Sequence, residues 1–453
     1  MALNVGTRQG DASLRDDSFV APPLAGLVIY QVTVDPGMAP ELRAATLDGI
    51  AALGVTAIEL LPSSQPAEAR EHYVPAHVAV ERAFGGAAAL RSLVAEAHHR
   101  GLAVIVNIAY QRPDPVADVV LDITQDSVRS VIVREALRWL RDTHLDGVRH
   151  DMAAYTDLVD ASSVPRAVGW QLMREMNASI REERSSFVLI ALDDRGDTRV
   201  TSMDASGALF HTQWDMQFVH PISEALTGAG PMADVRDAIG SSFGDTFSRV
   251  VYAHCAELIG REPSPSEEPL DWESAKWITL GAGMVLTSPG IPLLFEGQEK
   301  LHGGHVGKDA GEPERPPHPG ISDLVRDLVR LRRNWYDTTR GLSGRGLDVF
   351  HCNEETRVVA WHRWADIGPG DDVIVVANLS ANAYPAYRLG FPDDRLWRLR
   401  FSSDSASYCS LFGGHPSTDV IAQFRPVDAQ PASAEVSIGP YSLLVFSQDP
   451  WPV

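Results

Sequence analysis

Residues 144–155 read HLDGVRHDMAAY, a short run that reaches a carboxylate, Asp151, two positions after an arginine, Arg149. On a β-strand, side chains two apart share a face. A guanidinium in that place keeps the carboxylate ionised and fixes its orientation. Such a pair suits a nucleophilic carboxylate, and it equally suits a buried ion pair that only packs. A nucleophile of this kind also needs a second catalytic group, so the rest of the chain has to be searched for one.

The elements that must hold these residues show a clear rhythm. Apolar, β-branched runs occur at 27–32, 55–61, 102–109, 147–151, 187–192, 208–214, 249–254 and 291–295. Between most of them, apolar residues recur every three or four positions, at 41–53, 87–100, 128–142, 166–184, 234–243, 272–286 and 321–335, which predicts helices. Strands alternating with helices in this way predict an α/β protein, a (β/α)8 TIM barrel, with surplus length in loops at 62–84 and 297–320. Beyond residue 343 the pattern changes to period two in VVAWHRW, DVIVVANLS, RLWRLRF and SLLVFSQ, with Pro, Gly, Asp and Ser between. That predicts a C-terminal all-β sandwich. The expected division is an arm at 1–23, the barrel at 24–342 and the sandwich at 343–453.

Composition narrows the function classes. A formal charge of −21 disfavours nucleic acid and anionic membranes as partners. No apolar run approaches the roughly 20 residues that span a bilayer, and the first residues show no basic-then-apolar leader. Three widely spaced cysteines fit a reducing cytoplasm better than a disulfide framework. No cofactor is expected.

Barrels of this type carry functional side chains at the C-terminal ends of their strands. Several stretches at and near those ends resemble the α-amylase superfamily, glycoside hydrolase family 13. LDGVRHD (145–151) is similar to the strand-four signature, with an arginine two before the nucleophilic aspartate. The stretch from HYVPAHVAVERAFGG toward HHRGLAVIV is similar to the run from the second loop to strand three, where a tyrosine, here Tyr73, stacks on sugar. PGIPLLFEGQE (289–299) resembles the strand-eight segment, and LVRDLVRLRRN (324–334) the helix after it. LIALDDRGD (189–197) looks like strand five of maltooligosyltrehalose trehalohydrolases. The tail, with WRLRFSSDSASYCSLFGG and GPYSLLVFS, looks like the C-terminal β-domain of those enzymes and of glycogen branching enzymes. The N-terminal β-sandwich of those two groups has no counterpart in the sequence at hand.

The resemblance implies roles that this sequence fills only in part. Asp151 stands at the nucleophile position. The acid/base glutamate of strand five falls at Leu192, and the strand-seven aspartate, after a histidine, falls at Cys255, beside His254. Strand three offers Asn107, Gln111 and Arg112 where the family has Asp, Asn and His; its Asn that often helps to hold calcium falls at Gln111. The expected sugar-binding set is therefore Arg149, Tyr73, His254, Asn107, Gln111 and Arg112. Retaining glycoside hydrolysis needs two carboxyl groups about 5–5.5 Å apart, and general acid–base help is worth about 10²–10⁴-fold. Leucine cannot donate a proton.

Candidate replacement acids are Asp193, Asp194 and Glu257. Plainer readings stand beside these roles. Arg149 and Asp151 form a structural pair, Tyr73 and Trp214 are core aromatics, and Leu192 and Cys255 fill space a sugar once held. A reactive Cys255 thiol lacks a third orienting group, and His302, His305 and His318 lie in a Gly/Pro-rich loop without thiolates, so zinc is not expected. The sequence thus predicts a catalytically degenerate, cytoplasmic member of α-glucan or trehalose metabolism that binds such a sugar or a protein partner. The alternatives are an active α-glucan hydrolase or transglycosylase using Asp151 with a relocated acid, and a scaffold with no sugar ligand.

Overall fold

The computed structural model describes residues 19–34, 40–62, 84–108, 123–151, 166–193, 195–259, 271–301 and 318–450. Eight strands close into a parallel barrel in sequence order: β1 (Ile29–Val34), β2 (Ala57–Pro62), β3 (Ala103–Ile108), β4 (Gly147–Asp151), β5 (Val188–Leu192), β6 (Thr212–Trp214), β7 (Arg249–Tyr252) and β8 (Ile291–Phe295). Their apolar runs are nearly continuous because each strand is buried on both faces, by the barrel interior and by the helices outside. β8 returns to β1 through Leu293 beside Ile29 and Phe295 beside Gln31, which seals the cylinder.

The outer helices are α1 (Pro40–Ala52), α2 (Ala87–His98), α3 (Asp126–Thr143), α4 (Arg166–Glu183), α5 (Val219–Leu226), α6 (Met232–Gly240), α7 (Cys255–Ile259), α8 (Trp272–Thr287) and α9 (Gly320–Arg332). α8 begins where the Asp271 carboxylate accepts from Ser274 N at 2.7 Å, an N-cap that satisfies one orphan donor. Its sequence, WESAKWITLGAGMVLT, is apolar almost all round, and the helix is buried almost all round. One side lies on the barrel, and the other meets the C-terminal sheet, where a Cβ at Gly283 would stand 3.2 Å from Leu443.

That C-terminal region is all-β. A six-stranded sheet has the order β14 (Val420–Ile421), β13 (Leu396–Ser402), β16 (Ser442–Ser447), β11 (Val373–Asn378), β10 (Val358–Trp364) and β9 (Gly346–Asn353). A two-stranded sheet pairs β12 (Tyr384–Phe391) with β15 (Ala432–Ile438). Alternation sorts the large sheet's residues. Val359, Trp361, Val375, Leu443 and Val445 join the barrel's core, while Val358, Ala360, Ile374, Leu444 and Phe446 pack with Leu389, Phe391 and Val436 of the small sheet. Buried polar contacts pin the seam: Arg363 donates to Thr287 O at 3.0 Å, and the Lys276 ammonium pairs with Asp404.

Three readings of local structure change. The run 208–214 was expected to be a strand throughout, yet only its last three residues are one. The carbonyls of Gly207 and Ala208 are taken by Arg174 and Asn177 of α4, and Leu209 sits at φ 65°, so the chain there leaves the ladder. α5 and α7 were not anticipated, because each is too short to establish a period. β9, β12 and β15 were likewise missed, since glycine, polar and exposed residues blur their alternation.

Candidate functional site

Alternation along the strands decides which side chains enter the barrel. Gln31 and Glu59 meet on the inside, where Gln31 Nε2 donates to Glu59 Oε1 at 2.9 Å. The register pairs Asn107 of β3 with Arg149 and, two residues further along β4, Asp151 with Leu192 of β5. Arg149 Nη1 forms an ion pair with Glu59 Oε1 at 2.8 Å, with the carboxylate fully buried and the guanidinium nearly so. The guanidinium lies 4.2 Å from the centroid of the Trp214 ring, a cation–π contact strengthened by burial. Trp214 in turn packs on Tyr252 and Phe295 at 4.8 and 6.1 Å. The barrel floor is thus one buried ion pair set on an aromatic cluster.

Electrostatics within this floor are finely opposed. Burial pushes the Glu59 carboxyl above its ordinary range, while Arg149 and the Gln31 amide pull it back. Burial also raises the Tyr252 phenol. Four buried polar atoms here, Glu59 Oε2, Asn107 Oδ1, Arg149 Nε and Trp214 Nε1, make no hydrogen bond among the described residues. They are groups a polar guest could satisfy, since buried donors and acceptors are costly to leave unmade.

Glu59 was missed by sequence reasoning. Its signal was present: a lone acid in the apolar run AIELLP, on the inward phase with Ala57. Only closure of the barrel brings it to Arg149, 90 positions later in the chain.

The expected site residues divide as follows. Asp151 ends β4, but its side chain lies outside what the structure describes. Tyr73, Gln111, Arg112, Asp194, His302 and His305 fall outside the described residues altogether. Asn107 and Arg149 share the barrel interior with Trp214. Leu192, half-buried at the end of β5, packs on the hydrophobic core. Cys255, 1% exposed, starts α7 within that core. His254 stands edge-on to Phe295 at 4.6 Å. His318 Nδ1 lies 3.4 Å from Cys409 Sγ.

Two candidate replacement acids have local duties. Asp193 Oδ2 accepts from Asp197 N at 2.9 Å and closes the loop after β5. Glu257 Oε2 turns back to His254 N at 3.4 Å, at the start of its own helix. Glu59 is no nearer the task. It is in register with Ile105 and hence with Gly147, four residues short of Asp151, roughly 13 Å along the strand direction.

The strand-eight motif PGIPLLFEGQE serves as brace. Glu296 Oε2 accepts from Thr33 N at 3.0 Å, Gln298 Nε2 donates to Ala253 O at 3.0 Å, and Glu299 Oε2 accepts from the Tyr30 hydroxyl at 2.9 Å. One short turn thereby ties the ends of β1 and β7 to β8.

Residues 350–449 match the family described as alpha amylase, C-terminal all-beta domain. The 1,4-alpha-glucan branching enzyme of Thermobifida fusca is 26% identical over 92% of this chain and 63% of its own length. That of Cupriavidus pinatubonensis is 26% identical over 97% of this chain and 66% of its own. The chain therefore spans a little under two thirds of the length of these relatives. Among solved structures, the alpha-amylase from Geobacillus thermoleovorans in complex with acarbose superposes with a TM-score of 0.67 at 16% identity, over 95% of this chain and all of the other. The apo pullulanase from Paenibacillus barengoltzii gives 0.63 at 16% identity, over 96% and 79%. These structural likenesses establish the fold.

Proposed function

We infer that this chain, which resembles the α-amylase superfamily and the glycogen branching enzymes within it, serves α-glucan metabolism by binding a glucan rather than cleaving one. The observation that carries the reading is the register pairing of Asp151 with Leu192. Where the resemblance implies a proton donor beside the nucleophile, this chain has an apolar side chain anchored to the core. The strand-seven position is a buried cysteine, the described carboxylates Asp193, Glu257 and Glu296 are engaged with backbone N–H groups, and Glu59, paired with Arg149, lies four residues short of Asp151 in register. Loss of the acid removes about 10²–10⁴-fold of rate. What remains inside the barrel is Asn107, Arg149 and Trp214, whose polar atoms without a hydrogen bond among the described residues suit sugar hydroxyls and supply no leaving-group proton.

The reading is tested by incubating the purified chain with a maltooligosaccharide series and with maltooligosyltrehalose, chromatographing the products, and running Asp151→Asn alongside. Saturable calorimetric binding of maltoheptaose without product supports it. Turnover by the wild type that disappears in Asp151→Asn overturns it in favour of an enzyme with a relocated acid. Neither binding nor turnover overturns it in favour of a scaffold.

A further inference from the structure

The segment 287–290, which leaves α8 and enters β8, is gripped by three buried arginines from three separate elements. Arg363 of β10 donates to Thr287 O at 3.0 Å. Arg332, the last residue of α9, donates to Ser288 O at 2.8 Å and to Gly290 O at 2.5 Å. Arg249, the first residue of β7, lies against Gly290, where a Cβ would stand 3.0 Å from its Cγ. None of the three arginines is more than 2% exposed, and Ser288 is at 0%. They sit where β7 and β8 begin, at the end of the barrel away from Asp151, which closes β4.

Charge is out of balance here. Buried charges are normally paired, because an isolated ion in a low dielectric is far more costly than a lost hydrogen bond. Among the described residues, the carboxylate in ion-pair reach of these guanidiniums is Asp215, 3.0 Å from Arg249. Arg332 and Arg363 donate to backbone carbonyls instead. The C-terminus of α8 supplies roughly half a negative charge, so an excess of roughly one and a half positive charges stays in the interior. The imbalance shows in ionisation. Burial pulls the Arg363 guanidinium well below its ordinary range, and the neighbouring charges of Arg332 and Arg249 pull it further.

Hydrogen bonding is unbalanced in the same sense. Arg249 Nε, Arg332 Nε and Ser288 Oγ have no hydrogen-bond partner among the described residues, although all three side chains are buried. The two guanidinium nitrogens can only donate, and the hydroxyl can donate as well. Buried donors are costly to leave unmade. A guest that accepts from all three and carries one negative charge settles both imbalances. A divalent oxyanion would overshoot the charge, and an organic acid would need an opening to solvent that side chains at 2% exposure or less do not offer.

We propose that the junction of α8 and β8 holds a small monovalent inorganic anion, chloride in ordinary media, bonded by Arg249 Nε, Arg332 Nε and Ser288 Oγ. The ion ties β7 and α9 to the junction, which Arg363 in turn ties to the C-terminal sheet. It acts on stability and stands apart from events at the barrel mouth.

The test is thermal melting of the full chain as chloride replaces gluconate at constant ionic strength, on wild type, Ser288→Ala and Arg340→Gln. Ser288→Ala removes one unpartnered donor, and circular dichroism checks that it folds. Arg340 is an exposed arginine paired with Asp366 and serves as control. The melting temperature should rise with chloride and level off, as for a ligand that binds the folded chain alone. The apparent chloride affinity should fall at least tenfold in Ser288→Ala and stay unchanged in Arg340→Gln. Equal stability in chloride and gluconate overturns the proposal and makes water the guest, and so does a chloride effect that Ser288→Ala leaves intact. Crystals grown in bromide give a readout free of any variant. An anomalous peak within hydrogen-bond reach of the three donors supports the site, and no peak there overturns it.

Discussion

Replacing Glu59 by leucine is the sharpest test of the barrel floor. The substitution leaves the Arg149 guanidinium buried beside Trp214 without its counter-charge, and leaves the Gln31 amide without its acceptor. Breaking a buried pair by removing one partner costs about 3–5 kcal/mol, and an orphaned buried donor adds about 1–3 kcal/mol. These penalties overlap, so the expected loss is at least about 3 kcal/mol. The double variant Glu59→Leu/Arg149→Met removes both charges and is expected to return to within about 2 kcal/mol of wild type, since apolar replacement of a whole buried pair is often neutral. The assay is urea unfolding of the four proteins of the cycle, followed by tryptophan fluorescence, because Trp214 lies against the guanidinium. A loss below about 1 kcal/mol in Glu59→Leu, or a double variant no better than the single, would refute the view that this ion pair anchors the floor.

Three further outcomes are expected. Leu192→Glu places a carboxyl beside Asp151 in the register and should raise maltooligosaccharide hydrolysis by about 10²–10⁴-fold, read by reducing-end release; no gain would show that acid loss does not limit this barrel. Burial lowers the pKa of His150, packed against Phe210, from 6.5 to about 3, so the unfolded chain binds the extra proton first. Stability from this group is full above pH 6.5 and is lost as pH falls from about 6.5 toward about 3, by at most about 5 kcal/mol; His150→Gln should flatten that slope in pH-dependent thermal melts. A Cβ on Gly320 would lie 2.3 Å from Tyr408 O, so Gly320→Ala should destabilise the seam by about 1–3 kcal/mol, and an unchanged melting temperature would contradict the close packing there.

Much of this architecture could be read along the chain. The eight barrel strands lie within or beside the apolar runs that announced them, because a parallel strand buried on both faces must be apolar along its whole length. α8 was legible for the same reason, and its helical period matched its length. The run 208–214 misled because strand propensity says nothing of whether α4 will claim the carbonyls first. The large C-terminal sheet showed its alternation in β10, β11 and β16, which are buried on both faces, and in the partly exposed β13; its rim strand β9, half-exposed along its length, did not show it.

The site divides along the same line. The sequence by itself determined the chemical inventory: an aspartate closing β4, a leucine and a cysteine where the resemblance implies carboxylates, and the bracing motif after β8. Register then placed Leu192 beside Asp151, a local consequence of two neighbouring strands. Arg149 has Glu59 as its ion-pair partner because barrel closure turns inward-facing residues of separate strands toward one another, across distances no sequence spacing encodes. The seam at Tyr336 and Arg400 is a tertiary product too, since α9 and β13 meet only after the six-stranded sheet docks on the barrel. Periodicity reports which face of an element is buried; only packing decides which buried faces share a charge.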